Sequence, residues 1–324
     1  MTHAVRIHTY GGPEVLTYEA VELPPPGPGE VRLRQGACGI NFIDCYQRSG
    51  SYKLPSLPAT LGMEGAGEVA SLGSGVSELE VGDRVAYAMM PGGYTSERNI
   101  AANRLVKVPG AITIETAAAM MLQGMTVRYL LRETFPVTAG TVMLFHAAAG
   151  GVGLIACQWA RAIGATLIGT VSSDEKAALA LRHGAAHVIN VKAENFVERV
   201  REITGGALCD VVYDSVGRDT FMASLECLKP RGLCASFGSA SGPVPPLDIG
   251  MLAGKGSLYV TRPTLATYIA RRADLEANAA ELFAIVESGK VKIEVNQRYP
   301  LAHAAQAHRD LEARKTTGSS VLVV

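Results

Sequence analysis

An α/β fold is predicted, a doubly wound parallel sheet inserted into a mainly β domain, and three features of the 324-residue chain predict it. Residues 1 to about 120 run in short alternating strands separated by turn residues, the pattern of a compact β domain. From Thr141 onward, strands alternate with helices, which is how a parallel sheet is wound. Beyond Arg262-Pro263 that alternation stops, so the closing segment is expected to return to the β domain, with the active site in the cleft between the two parts.

In the β part, strands are expected at Ala4 to Tyr10, Glu30 to Ala37, Gly65 to Leu72, Arg84 to Ala88 and Leu105 to Val108. The proline-rich run Leu23 to Gly29 reads as a stiff connector between two of them. Thr116 to Arg132 is apolar nearly all round and reads as one buried helix. Further strands are expected at His187 to Asn190, Asp210 to Tyr213, Leu233 to Phe237 and Ser257 to Thr261, with helices at Glu194 to Ile203 and Asp219 to Leu228. A long helical stretch to about Ser288, a strand, a helix over Ala302 to Arg314 and a last strand over Ser320 to Val324 complete the chain.

The chemistry centres on Thr141 to Lys176. A short apolar strand runs into Ala148-Ala149-Gly150-Gly151-Val152-Gly153, which is G-x-G-x-x-G with alanine at the first glycine, and a second apolar strand follows at Thr166 to Val171. Gly150 allows the backbone close to a pyrophosphate, whose charge suits the N–H groups of the helix beginning near Gly151, and Gly153 lets that helix pack close to the strand. A dinucleotide site is expected. NAD sites place a carboxylate at the tip of the second strand for the ribose hydroxyls, but here the strand opens onto Ser172 and Ser173, with Lys176 one turn into the next helix. Hydroxyl donors and an ammonium suit a phosphate, so NADPH is the expected coenzyme. Asp174 and Glu175 are read as first-turn acids of their own helix.

Length implies two domains, since one core seldom serves so many residues. Thirty basic and thirty acidic residues leave no basic footprint for nucleic acid. The amino-terminal residues lack the apolar core of a signal peptide, and a cytoplasmic protein is expected. Pro136 to Ala160 carries no charge and is long enough for a membrane span, but three glycines within four residues at its centre argue against one. The six cysteines form no C-x-x-C pair, and nothing supplies further ligands at zinc spacing beside Cys38 and Cys45, so buried thiols are expected.

Together, several segments closely resemble the zinc-independent NADPH:quinone oxidoreductases, the zeta-crystallin-like branch of the medium-chain dehydrogenase/reductase superfamily. They are Gly11 to Leu16, Asn41 to Asp44 with Arg48 to Tyr52, Val81 to Val85, Ala148 to Gly153 with Gln158 and Arg161, Asp214 to Gly217, and Gly256 to Pro263. The resemblance implies a Rossmann domain over residues 121–263, inserted into a GroES-like catalytic domain over 1–120 and 264–324, and a homodimer joined through the edge of the nucleotide sheet near Ser257 to Thr261. Zinc alcohol dehydrogenases of the superfamily carry a cysteine and a histidine where this chain has Asn41 and Met63. Neither replaces a thiolate or an imidazole, so no metal is expected. Chemistry without a Lewis acid needs an acceptor that is already electrophilic, and a quinone, which becomes aromatic on reduction, is one.

The resemblance further implies that Asn41, Tyr46, Tyr52 and Arg262 line the nicotinamide and quinone pocket, with phenol or guanidinium donating to a developing oxyanion. Gln123 is a candidate for the same pocket, whereas Asp44 is expected to hold a loop or ribose. Coenzyme contacts are implied at Asn41, Tyr46, Thr126, Gly150, Gly151, Val152, Gly153, Ser172, Ser173, Lys176, Ser215, Phe237, Gly238, Val260, Arg262 and Arg314, with Lys176 and Arg314 at the 2′-phosphate. Val191 stands where close relatives have a tyrosine near the adenine. The expected activity is NADPH-dependent quinone reduction by hydride or single electrons. An NADPH-dependent alkenal or enone reductase is the alternative, and an RNA-binding or lens-structural role is the outlying one.

Overall fold

A computed structural model describes residues 1–324. Its first half runs β1 (Thr2–Ile7), β2 (Leu16–Val21), β3 (Glu30–Gly39), α1 (Phe42–Ser49), β4 (Ala59–Thr60), β5 (Glu64–Leu72), β6 (Arg84–Ala88), β7 (Glu97–Ala101), β8 (Val106–Lys107) and α2 (Ile114–Tyr129). Then follow β9 (Val142–Phe145), α3 (Gly151–Ile163), β10 (Thr166–Val171), α4 (Asp174–Arg182), β11 (His187–Asn190), α5 (Phe196–Ile203), β12 (Cys209–Asp214), α6 (Phe221–Ser224), β13 (Leu228–Ser236), α7 (Gly250–Gly254) and β14 (Tyr259–Thr261). The chain closes with α8 (Leu265–Tyr268), α9 (Arg272–Glu287), β15 (Val295–Pro300), α10 (Ala304–Glu312) and β16 (Ser319–Val323).

Two compact units result. One comprises Met1–Met125, Tyr268–Glu287 and Ile293–Val324; the other comprises Thr126–Thr267 and Ser288–Lys292. Within the second, β9 to β14 form one parallel sheet in the order β11-β10-β9-β12-β13-β14, a doubly wound arrangement. Its strands carry the near-continuous apolar runs of a sheet covered on both faces, and Leu144, Ile168, Ile189, Val212 and Cys234 bury into one cluster with Phe221 and Leu225. Each of the Leu, Ile, Val and Phe side chains among them contributes about 1.5–3 kcal/mol. The short segment 288–292 joins this unit because Gln158 of α3 pairs with both backbone groups of Lys292, at 2.9 and 2.8 Å.

In the first unit, a seven-stranded sheet has the order β15-β16-β3-β5-β6-β8, with β7 also on β3, and a smaller sheet has the order β2-β1-β4. The closing strand β16 pairs antiparallel with β3, so the chain returns to its opening sheet as expected. β2, β4, β7 and α1 are additions to the expected elements.

Two expected helices are interrupted. The stretch expected to run unbroken to Ser288 divides at residues 269–271, where the Arg104 guanidinium takes the carbonyls of Ile269 and Ala270. The helix expected over Asp219 to Leu228 has one α turn and one 3₁₀ turn before β13 begins at Leu228. Pro136 to Ala160 contains β9, the glycine turn and most of α3, and no helix is long and apolar enough to cross a membrane. All six cysteines are buried and free.

Candidate active site

In the second unit, the turn between β9 and α3 is built for close approach. A Cβ on Gly153 would lie 2.6 Å from the Ala148 backbone, and one on Gly169 of β10 would lie 2.6 Å from the Ala148 side chain. Glycine at both places lets helix, turn and neighbouring strand touch. Gly150 is the N-cap of α3 and no side chain caps the helix, so the N–H groups of Gly151, Val152 and Gly153 have no capping acceptor. These N–H groups and the helix dipole are a fit for a pyrophosphate.

At the tip of β10 stand Ser172 and Ser173. Ser173 is the N-cap of α4, its Oγ accepting from the Lys176 N–H at 3.4 Å. Asp174 turns aside to accept from Asn190 Nδ2 at 2.8 Å, and Glu175 is held below the usual carboxylate range by its own backbone N–H and by Ser173. Both nearby acids are thus engaged, Glu175 by the Ser173 hydroxyl itself, so Ser172 and Lys176 fit a phosphate and Ser173 joins them on giving up Glu175. Val191 follows β11 and is exposed. Arg314 lies in the first unit, just past α10, with a left-handed backbone (φ 57°).

The carboxyl ends of β12 and β13 are tied together. Phe237 N–H donates to Asp214 O at 2.8 Å, and a Cβ on Gly238 would lie 2.8 Å from Ser215 Cα, so only glycine allows the two turns to meet. The family resemblance implies Arg262 as a residue lining the nicotinamide and quinone pocket. Here its Nη1 donates to the carbonyls of Ser236 and Gly238, both at 2.8 Å, and Nη2 to Ser239 Oγ at 3.2 Å, so its guanidinium grips this turn. Phe237 packs on Phe145 with ring centroids 5.7 Å apart. Val260 is part of edge strand β14, and Thr126 is buried in α2.

Beneath these turns lies a network absent from the sequence reading. Asp214 Oδ1 accepts from the N–H groups of Val216 and Gly217, and Oδ2 accepts from the hydroxyls of Thr220 and Ser224. Because the Ser224 hydrogen goes to Asp214, His146 Nε2 must be the donor to Ser224 Oγ at 2.9 Å, and Nδ1 accepts from Thr170 Oγ1 at 2.9 Å. Burial lowers the His146 pKa, in keeping with this neutral tautomer.

In the first unit, Asn41 ends the β3 segment and caps α1. Its Nδ2 donates to Glu64 Oε1 at 2.7 Å and its Oδ1 accepts from Gln123 Nε2 at 3.2 Å, so the structure brings Asn41 and the candidate Gln123 together. Tyr46 of α1 and Tyr52 lie with ring centroids 5.2 Å apart, and Tyr52 N–H donates to Tyr46 O at 3.0 Å. Asp44 holds the Asn41 N–H and the Tyr94 hydroxyl, both at 2.8 Å, the anchoring role expected of it. Met63, at the other zinc-ligand place, is buried with Gln47 Nε2 3.3 Å from its sulfur. Nowhere do three or more His, Cys, Asp or Glu side chains gather as a metal-holding group. Glu64 was not singled out in the sequence, although a lone carboxylate inside Leu61-Gly62-Met63-Glu64-Gly65-Ala66-Gly67 is a visible anomaly.

A mainly β unit interrupted by a doubly wound sheet with an uncapped glycine turn defines a medium-chain dehydrogenase/reductase. Two family models match, "Alcohol dehydrogenase GroES-like domain" over residues 27–134 and "Zinc-binding dehydrogenase" over residues 151–284. The chain is 55% identical over 324 residues to a quinone oxidoreductase of Pseudomonas aeruginosa, covering 100% of both chains. It is 44% identical over 333 residues to a 2-haloacrylate reductase of a Burkholderia species, covering 100% of this chain and 99% of the other. The solved structure of Escherichia coli quinone oxidoreductase complexed with NADPH superposes with a TM-score of 0.98 at 51% identity, covering 100% of each chain. The chain belongs to the zinc-independent quinone oxidoreductase family of this superfamily.

Proposed function

We propose that this protein is an NADPH:quinone oxidoreductase, reducing quinones without a metal. The observation that carries it is full-length similarity to quinone oxidoreductases in a chain whose β10 tip offers Ser172 and Lys176, with Asp174 engaged by Asn190 and Glu175 by Ser173. NADPH supplies the reducing electrons, passed as a hydride or singly. Initial rates with ortho- and para-quinones, each with NADPH and NADH, test the assignment, and no quinone turnover with either coenzyme would end it.

In this reading the N–H groups of Gly151, Val152 and Gly153 hold the pyrophosphate, and Ser172, Ser173 and Lys176 hold the 2′-phosphate with help from Arg314. Ser215, Phe237, Gly238, Val260 and Thr126 flank the ribose and nicotinamide. Arg262 keeps the 236–239 turn in shape through the three bonds described above. Asn41, with an amide N–H remaining beyond the one given to Glu64, and the phenols of Tyr46 and Tyr52 donate to the acceptor's oxygens as charge develops there. The proposed division of labour is by unit, 126–267 with 288–292 for the coenzyme and the rest for the acceptor, which shifts the expected boundaries of 121–263 and 1–120 with 264–324 by a few residues and moves 288–292 to the coenzyme unit.

Similarity to a 2-haloacrylate reductase supports a second reading, transfer to an activated carbon–carbon double bond, and a halogenated acrylate and an alkenal belong in the same assay panel. A homodimer is proposed through β14, an edge strand whose Tyr259 is 62% exposed. Sedimentation of wild type beside a Tyr259→Asp variant tests it. Six buried thiols suit a reducing compartment, and a cytoplasmic location is proposed on that ground.

A further inference from the structure

Glu64, the first residue of β5, is fully buried and engaged at both oxygens. Oε1 accepts from Asn41 Nδ2 at 2.7 Å, and Oε2 accepts from the Leu122 N–H within α2 at 2.6 Å. Room for the carboxyl comes from Gly39 on β3, where any Cβ would collide with it. The ionisable groups facing Glu64 are Asp44 on α1, Tyr87 on β6 and Cys38 on β3, with Arg98 of β7 beside the last two. Burial first, and the Asp44 charge in addition, push the Glu64 carboxyl up to about 8, against the lowering effect of the bonds from Asn41 and Leu122.

From Asn41 a buried chain of hydrogen bonds leads away. Gln123 Nε2 donates to Asn41 Oδ1 at 3.2 Å, and Ser319 Oγ donates to Gln123 Oε1 at 2.7 Å. A primary amide has one donor end and one acceptor end, and a hydroxyl serves either way, so two amides ending on a hydroxyl form a complete chain in two directions. A carboxylate only accepts. While Glu64 is charged, Asn41 must turn its NH₂ toward Glu64, Gln123 must turn its NH₂ toward Asn41, and Ser319 must donate. A proton from solvent on Oε1 makes Glu64 a donor to Asn41 Oδ1. The complete chain then runs the other way, with both amides turned over and Ser319 accepting.

We propose that Glu64 is a positioning residue for the reaction, and that its proton sets the direction of the Asn41–Gln123–Ser319 chain and so decides whether Asn41 offers a bound ligand a donor or an acceptor at a given place. The consequence for ligand binding rests on the part assigned to Asn41 above; the two-way chain does not. In the charged direction, one N–H of Asn41 Nδ2 is left over beyond the bond to Glu64. In the reversed direction, the carbonyl oxygen takes the place of that NH₂ group.

The test uses the full-length protein from about pH 6 to about pH 9.5, a window that spans the raised carboxyl. Infrared spectra of the wild type are expected to lose a carboxylic-acid carbonyl band as pH rises. Asp44→Asn, which removes the other buried carboxyl that titrates in this window, should keep a titrating band, and the Asp44→Asn/Glu64→Gln double variant should lack it. The KM for quinone or NADPH is expected to change about fivefold to tenfold across the same interval, the worth of one hydrogen bond. Glu64→Gln should flatten that change, whereas a purely structural role would lower activity at every pH and leave the inflection in place. Should Glu64→Gln not fold, Asn41→Ala serves in its stead, because loss of the donated bond should move the band's midpoint upward by about one pH unit. No titrating band, an inflection that persists in Glu64→Gln, or an unmoved midpoint in Asn41→Ala would each overturn the proposal. Absence of quinone turnover with the band and its midpoint shift intact would instead reject the substrate assignment and leave the coenzyme dissociation constant, read by fluorescence titration, to report on the chain.

Discussion

Tyr94 donates its hydroxyl hydrogen to Asp44 Oδ2 at 2.8 Å, and both residues are fully buried. The direction of the bond is settled one step back. Arg48 Nη1 lies 3.0 Å from His308 Nδ1, and a guanidinium has only donors, so Nδ1 accepts and Nε2 donates to the Tyr94 oxygen at 3.1 Å. A buried relay Arg48–His308–Tyr94–Asp44 therefore ends on the carboxyl that anchors the Asn41 backbone.

Stability should vary with pH through this relay and the neighbouring buried carboxyl of Glu64. Burial raises the Asp44 pKa to about 7 and Glu64 to about 8, so the folded chain binds their protons more tightly than the unfolded chain does. That contribution is fully present at low pH and is lost as pH rises through about 7 to 8. His308 has the opposite sign: burial first, and then Arg48, lower it to about 3, so its contribution is lost as pH falls below the ordinary histidine range. Above that range the carboxyls act alone. Denaturant melts are expected to show wild-type stability falling from about pH 6.5 to about pH 8.5, with a shallower fall in Asp44→Asn. An equal slope in the two proteins would contradict the assignment.

Lys176→Ala should weaken NADPH by about 2 kcal/mol, roughly thirtyfold, and leave NADH nearly unchanged, because only the phosphorylated coenzyme loses a charge-assisted contact. Fluorescence titration with each coenzyme measures the difference directly.

Gly153→Ala should affect binding and folding together. Its methyl group would sit 2.6 Å from the Ala148 backbone, so the helix must move off the turn. A stability loss of about 1–3 kcal/mol is expected, together with weaker binding of both coenzymes, since the N–H groups that face the pyrophosphate move with α3. Unaltered NADH and NADPH affinity would show that the turn does not face them.

Ser224→Ala removes the hydroxyl between His146 and Asp214. A buried imidazole N–H is left without an acceptor, at about 1–3 kcal/mol. Chemical denaturation should show that loss, with coenzyme affinity declining less than in Gly153→Ala because Asp214 still holds the Val216 and Gly217 N–H groups.

Tyr46→Phe and Tyr52→Phe distinguish donors from packing residues. A phenol that donates to a developing oxyanion should cost up to about tenfold in kcat with little change in KM. Unchanged kcat in both variants would leave the ring pair as packing alone.

Much of the nucleotide half was legible because its signals are local. Thr166–Val171 and His187–Asn190 fall where the apolar runs place them, and the order strand, glycine turn, helix is a pattern of neighbours along the chain. The Asn41-x-x-Asp44 start of α1 is equally local but was not singled out, because an eight-residue helix after a long strand carries little periodicity. Glu64, Ser319 and Ser224 were not legible as site residues. Their partners lie 23, 196 and 78 positions away, and no sequence period links them.

By itself the sequence determined the class of fold, the place of the dinucleotide turn and the coenzyme suggested by the serines and lysine after β10. Each of these depends on residue type at short spacing, where backbone geometry and side-chain chemistry act directly. Only the tertiary structure decided that Arg262 grips the 236–239 turn, that His146 lies between Thr170 and Ser224 with its pKa lowered by burial, and that a buried carboxyl at Glu64 accepts from the Asn41 amide. Hydrogen-bond direction and burial belong to groups brought together from distant strands, and these exist only once the sheets have formed.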